Sequence, residues 1–114
     1  MSGNGVRHFI DLDVIAKNDL HGMLKRLMGE HQTLFEGMWQ RLTLAQRGAL
    51  RAAVLEDGRE LLSADVRSRY RLSGTSTVQA SLGALLREDV IAREGDRYVV
   101  VDSLFREWVA RRTF

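Results

Sequence analysis

Val90–Val101 constrains this chain more than any other stretch. Val90-Ile91-Ala92-Arg93 and Arg97-Tyr98-Val99-Val100-Val101 flank Glu94-Gly95-Asp96. Two β-prone runs separated by a glycine-centred turn read as a hairpin. Apolar residues on the preceding side recur at three- and four-residue steps, the period of an amphipathic helix. A single hairpin behind a series of short helices leaves few architectures open, because both hairpin and helices must bury one face on a shared core.

Helix starts are marked by residues that can satisfy free backbone amides. Thr43-Leu44-Ala45-Gln46 matches a capping box, and opens a helix that runs to about Leu55 with Leu50, Ala53 and Val54 inward. Glu56-Asp57-Gly58-Arg59 closes it. Ser63 caps a second helix, whose Val66 and Tyr70 face the core, and Leu72-Ser73-Gly74 is the following turn. Ser76-Thr77-Val78-Gln79 reads as another capping box, with Val78, Leu82, Leu85 and Leu86 as the buried stripe of the third helix. After the hairpin, Asp102 or Ser103 caps a last helix carrying Leu104, Phe105, Trp108 and Val109 inward. The expected fold is mostly α with a small β hairpin: a winged helix-turn-helix domain over 42–114, preceded by an N-terminal helical segment.

That segment, 19–41, carries a long stripe of Leu20, Met23, Leu24, Leu27, Met28, His31, Leu34, Phe35, Met38 and Trp39, continuing to Leu42. Asp19 can cap its start, and Gly29 marks a place for a break, since glycine costs about 1 kcal/mol relative to alanine in a helix interior. The stripe is expected to be mostly buried, either on the domain that follows or against a second chain. Residues 1–18 read as a disordered or extended arm, in which Phe9–Val14 alternates.

Several chemistries are excluded by what the chain lacks. It has no cysteine, so no disulfide, thiolate nucleophile or cysteine metal site, which fits a reducing cytoplasm. Neither Lys17 nor Lys25 follows a glycine, so a phosphate-binding loop of the G-x-x-x-x-G-K-[ST] type is absent. His8, His21 and His31 are not spaced to share a helix face as metal ligands. No spacing of Ser, His and Asp marks a nucleophile elbow. Neither catalysis, a cofactor nor a metal is expected of this chain, and no apolar run approaches the roughly 18–20 residues a membrane span needs.

Net charge is +2, unevenly placed. Residues 1–40 carry four Lys/Arg against five Asp/Glu, and residues 41–114 carry thirteen against ten, all thirteen being arginine. Arginine suits bidentate phosphate contacts. The N-terminus of the third helix presents free amides with a partial positive charge, framed by the hydroxyls of Ser73, Thr75, Ser76 and Thr77. Arg67, Arg69 and Arg71 approach the same place, and Arg93 and Arg97 flank the hairpin tip. Thr77, Ala80, Ser81, Ala84 and Arg87 are the expected outward positions, with Gln79 at the edge; only Gln79 suits adenine and only Arg87 guanine. The expected duplex-DNA contact set is therefore Arg67, Arg69, Arg71, Ser73, Thr75, Ser76, Thr77, Gln79, Ser81, Arg87, Arg93 and Arg97. The same surface of small residues suits a protein partner equally well, and Glu94 and Asp96 at the hairpin tip oppose phosphate.

Over about Leu42–Trp108 the chain resembles the C-terminal winged-helix region of prokaryotic AAA-type ATPases of the STAND-like signal-transduction class. The resemblance rests on Leu42-Thr43 with Gln46-Arg47, Ser63-Ala64 with Val66, Ser76-Thr77-Val78-Gln79 with Leu82 and Leu85, and Arg97-Tyr98 with Val100-Val101-Asp102, Phe105 and Trp108. It implies a non-catalytic regulatory or DNA-contacting module that follows an ATPase domain. With no nucleotide-binding loop here, ATP binding is carried over to no residue. Two further readings stay open: a free-standing transcription regulator that dimerises through 19–42, and a protein-interaction adaptor that never touches DNA.

Overall fold

The computed structural model describes residues 19–112; the expected arm over 1–18, with Phe9–Val14, lies outside them. The chain divides into two compact units, 1–32 and 33–114. In the first, residues 19–30 form helix α1. Asp19 is itself helical rather than an extended cap residue. His31 is a turn residue whose backbone N–H and Nδ1 both reach the Leu27 carbonyl, at 3.0 and 2.8 Å. The break thus falls at His31, close to Gly29.

The helices that follow are α2 (Gln32–Arg41), α3 (Leu44–Leu55), α4 (Ala64–Arg69) and α5 (Thr75–Arg87). Strands β1 (Ile91–Glu94) and β2 (Arg97–Val100) come next, and α6 (Ser103–Arg111) closes the chain. This is the arrangement expected from the sequence, a helix-turn-helix followed by an antiparallel wing. The register pairs Ile91 with Val100 and Glu94 with Arg97, leaving Gly95-Asp96 as a two-residue turn. Gly95 has φ +64°, and Asp96 does not share the positive φ. Glycine at the first central position is the type II′ pattern, whose twist matches that of the strands it joins.

The core of the second unit is centred on α3. Ala49, Leu50, Ala52, Ala53 and Val54 are all buried, and α3 packs on α5, α6 and β2. Small alanines on α3 let α5 and α6 approach closely and bring in larger side chains. Phe35, Leu50, Leu82, Leu85, Ile91, Phe105 and Val109 are the largest fully buried ones, each contributing about 1.5–3 kcal/mol by leaving water. Phe35 and Trp39 of α2 belong to this core. Phe35 lies 5.2 Å from Phe105 and 6.0 Å from Trp108 between ring centroids, and Trp39 lies 6.2 Å from Trp108.

The long N-terminal stripe is not one buried face. Met28, Phe35 and Trp39 are buried, whereas Leu20 is 57% exposed, Met23 44% and Leu34 53%. A stripe so densely apolar covers more of a helix's circumference than one contact face can hide. Leu86 and Leu104 are likewise half-buried rather than core, and Tyr70 is half-exposed beneath Arg51, whose guanidinium lies 5.8 Å from its ring centre.

The caps at Thr43, Ser63 and Asp102 form as expected, with both halves of the capping box made by Thr43 and Gln46. The box expected at Ser76–Gln79 does not form. Helix α5 begins earlier, with extended Gly74 as its N-cap and no side-chain cap bond, which places Ser76 inside the first turn. The cause is how α4 ends. Arg71 takes a left-handed conformation at φ +54°, its N–H donates to the Ser68 carbonyl, and the Leu72 N–H donates to the Arg67 carbonyl. This is a Schellman closure, in which glycine is the usual left-handed residue. Asp89 at φ +58° closes α5 in the same way, its N–H and that of Val90 reaching Leu86 and Leu85. Asp57 at φ +56° ends α3, and the next N–H, of Gly58, reaches Ala53. Three helices therefore stop on left-handed residues that are not glycine, a conformation costing roughly 1–2 kcal/mol each for an L-residue.

Gly58 holds the helical and wing halves together. Its φ is +74°, its carbonyl accepts from the Tyr98 N–H at 3.0 Å, and a Cβ placed on it would lie 1.8 Å from the Tyr98 carbonyl oxygen. Only glycine permits so close an approach of the α3–α4 connection to β2.

Candidate nucleic-acid interface

The exposed start of α5 is where the expected contact residues gather. Ser73, Gly74, Thr75, Ser76, Thr77, Gln79 and Ala80 are all exposed, and Arg87 is exposed at the far end of the same helix. Because Gly74 supplies no side-chain cap, the first amides of α5 are not met by a side chain of the capping residue. Helix N-termini of this kind favour anions through both the amides and the aligned peptide dipoles. Arg71 stands on the turn directly before them, exposed, on a left-handed backbone.

Arg71, Ser73, Thr77 and Ser81 share the lining of one cavity of about 410 Å³, with Leu44, Ala45 and Gly48 of α3 opposite. Ser81 is a correction: it is 6% exposed and buried, not outward. Val78, Ser81, Leu82 and Leu85 form the i, i+3, i+4, i+7 set that packs inward. Ser81 therefore forms the cavity's inner wall and cannot reach a base edge. Ala84 is half-buried as well.

The expected arginines fall into two groups. Arg69 forms an ion pair with Glu56, and Arg97 pairs with Asp57 at 2.9 Å. Both acidic partners sit at the end of α3, so these two cations link α4 and β2 to that end, each beside a carboxylate. Arg67 places its Nε–H on the Leu62 carbonyl at 3.1 Å, half-buried, which leaves its outer nitrogens for other acceptors. Arg93 lies over the Tyr98 ring at 4.8 Å and donates to the Tyr98 hydroxyl at 2.8 Å. Among the described residues, Arg71 and Arg87 make no ion pair. The structure thus brings Arg71, Ser73, Thr75, Ser76, Thr77 and Gln79 into one exposed patch. It places Arg93 and Arg97 on the wing, away from the cavity that Arg71 lines.

A second basic cluster was not marked by the sequence. Arg112 stacks over Trp108 and Trp39, with its guanidinium 4.8 and 5.3 Å from the ring centres, and bonds to Glu36. That guanidinium holds the Glu36 carboxyl below the usual carboxylate range. Arg47 lies 5.7 Å from the Trp39 ring centre and donates through Nε to the Trp39 carbonyl at 3.0 Å. Pairing of Arg47, eight residues after Trp39, and of Arg112, near the chain end, depends on the tertiary fold. Only the tryptophans themselves signalled it.

A family model described as a probable winged helix domain matches residues 33–111. The chain belongs to that family. The matched span takes in α2 as well as the helix-turn-helix and wing, in keeping with Phe35 and Trp39 lying in the winged-helix core. No curated protein and no solved structure gives a match. Among the described residues no acidic and histidine side chains cluster as a metal site, and no helix is long and apolar enough to cross a membrane.

Proposed function

We propose that this winged helix is a non-catalytic module that binds duplex DNA through the start of α5, weakly and with mild sequence preference. The observation that carries the reading is the exposed run Ser73–Thr77 around a helix start without a side-chain cap, with Arg71 projecting beside it. Phosphate oxygens would receive bonds from the amides, the hydroxyls and Arg71, with Arg67 and Arg87 as flanking cations. Base reading would fall to Gln79, since Ser81 is buried and Ala80 offers no polar group. Glu94 and Asp96 at the wing tip keep the wing from adding strongly.

The test is fluorescence anisotropy of a labelled duplex against salt. Replacing Arg67 and Arg71 by alanine should flatten the slope of log affinity against log salt by about 0.9 for each phosphate that is no longer neutralised. Arg69→Ala should move it much less, since Glu56 already holds that charge. No change in anisotropy with tens of micromolar protein at about 50 mM salt would reject the reading, given non-specific constants of roughly 10⁻⁴–10⁻⁶ M even at physiological salt.

The exposure of Leu20, Met23 and Leu34 favours a second reading alongside it, self-association through 19–42 as in a dimeric regulator. Sedimentation over a wide concentration range should then show mass rising with concentration. A parent ATPase would place the same apolar side chains against its own preceding domain, and in that case the isolated chain should stay monomeric.

A further inference from the structure

We propose that the groove between the end of α2 and the end of α5 is the face through which two copies of this chain pair about a two-fold axis. The proposal rests on the self-association reading above and names its contact surface; it is independent of DNA binding. The floor is Met38 and Leu42 from the α2 side and Ala84 and Val90 from the α5 side, around a cavity of about 550 Å³. All four are half-buried, and the lining is more apolar than polar. Leu34, one turn before Met38 on the same edge of α2, is 53% exposed and extends the apolar stripe beyond the cavity. Ala84 is the smallest side chain of the floor, so the α5 side offers the recess and the α2 side the longer apolar groups.

Charge identifies the occupant. Two charged side chains line the groove, Arg41 on the α2 side and Glu88 on the α5 side. Both are exposed and, among the described residues, neither makes an ion pair. Arg41 donates its Nε–H to the Gly37 carbonyl at 3.2 Å, which leaves its terminal nitrogens for another acceptor. Glu88 closes α5, at the end of the helix where the peptide dipoles disfavour a carboxylate and favour a cation. A cation brought there from outside therefore meets both the carboxylate and the helix end. A surface with an apolar centre, a cation on one side and an anion on the other is complementary to itself. A two-fold rotation through the centre sets Arg41 of each copy on Glu88 of the other, with Met38 and Leu42 of each beside Ala84 and Val90 of the other. A uniformly acidic or basic partner, nucleic acid included, would leave one of the two charges facing its own sign. Burial of the floor supplies the affinity, while the exposed ion pairs, individually weak, fix the register.

The test is sedimentation velocity of the full chain from about 1 µM to about 1 mM, at about 0.1 M salt where charges are screened over about 10 Å. Mass should rise toward two chains. Arg41→Glu and Glu88→Arg should each raise the dissociation constant at least about tenfold, because each sets two like-charged contacts across the axis. The double variant R41E/E88R should dimerise as the parent does. An equimolar mixture of the two single variants should form a mixed dimer, since both of its contacts then pair opposite charges. Both positions are exposed, so the single variants should fold, which thermal melts check. Mass that rises with concentration while both single variants associate as the parent does would overturn this face. The self-association reading would then stand, with Leu20 and Met23 as its remaining exposed apolar side chains. Absence of a mixed dimer would overturn the two-fold arrangement. A chain that stays monomeric to about 1 mM would overturn both this proposal and the reading beneath it.

Discussion

Gly58→Ala should be among the most damaging single methyl additions this fold can receive, and Gly95→Ala gives its control. Both glycines have positive φ, +74° and +64°. Both substitutions therefore carry the cost of a left-handed alanine, roughly 1–2 kcal/mol. Their surroundings differ completely. Nothing lies within 4 Å of a Cβ on Gly95, whereas a Cβ on Gly58 would sit 1.8 Å from the Tyr98 carbonyl oxygen and 2.7 Å from its carbon and nitrogen. Real Cβ atoms essentially never approach a neighbour below 3.0 Å, so the backbone of the α3–α4 connection must retreat from β2 by more than an ångström. That retreat breaks the bond from the Tyr98 N–H to the Gly58 carbonyl, worth about 0.5–1.5 kcal/mol. The sum for Gly58→Ala is then about 1.5–3.5 kcal/mol before any loss of packing beneath β2, against about 1–2 kcal/mol for Gly95→Ala. At roughly 4–8 °C per kcal/mol for a domain of this size, the difference of about 0.5–1.5 kcal/mol should separate the two variants by about 2–12 °C in thermal melts followed by circular dichroism. Equal melting temperatures would refute the argument, because they would mean that the Gly58–Tyr98 approach contributes nothing beyond its dihedral angle.

Leu82→Ala, at a side chain 2% exposed, should cost about 2–5 kcal/mol in denaturant melts as a core cavity. Arg71→Gly should stabilise the fold, by up to about 1 kcal/mol, since glycine adopts the left-handed closure of α4 without penalty; the same variant should weaken duplex binding if Arg71 meets phosphate. Glu36→Gln should reduce sensitivity to acid. Its carboxyl is held below the ordinary 4.5 chiefly by the bond from Arg112, so the wild-type pairing contributes above pH 4.5 and fades as pH falls through the lowered folded value. Melts of the two proteins should differ at neutral pH and converge below that window; a constant difference throughout would rule out the ionised pair as the cause.

Much of the fold is legible in the sequence because its punctuation is local. Thr43 with Gln46, Ser63 and Asp102 each stand within three residues of the amides they cap, and Gly95 signals its turn from within the turn. The stripe Val78, Leu82, Leu85 is likewise a matter of spacing alone. Ser76 shows the limit of such local rules. Two overlapping starts are available, Gly74 and Ser76, and the closure of α4 through Arg71 decides between them. Left-handed arginine and aspartate leave no composition signal, because glycine normally marks that position. Gly58 carries a signal, but its partner, Tyr98, is distant in the chain, and the sequence around Gly58 indicates only the end of a helix.

The candidate site is less legible than the fold for a related reason. Arginine counts for phosphate only if its charge is not already engaged, and engagement is a tertiary property. Arg67, Arg69 and Arg71 alternate along helix and turn and look equivalent in sequence. The fold gives one to a backbone carbonyl, one to Glu56, and leaves one exposed on a strained residue. Arg97 goes to Asp57, so the acidic end of α3, which reads in sequence as a solvated helix stop, instead clamps α4 and β2. The basic surface of the candidate site is displaced from the wing toward the α4–α5 turn, where Arg71 makes no ion pair. A winged helix arranged in this way should bind a duplex mainly with the start of α5 and little with its wing. Arg71→Ala should accordingly flatten the salt dependence of duplex binding by about 0.9 in slope, the value of one neutralised phosphate, while Arg97→Ala should leave that slope unchanged and lower the melting temperature instead. The opposite pattern would place the duplex on the wing and show that the pair with Asp57 opens when DNA arrives.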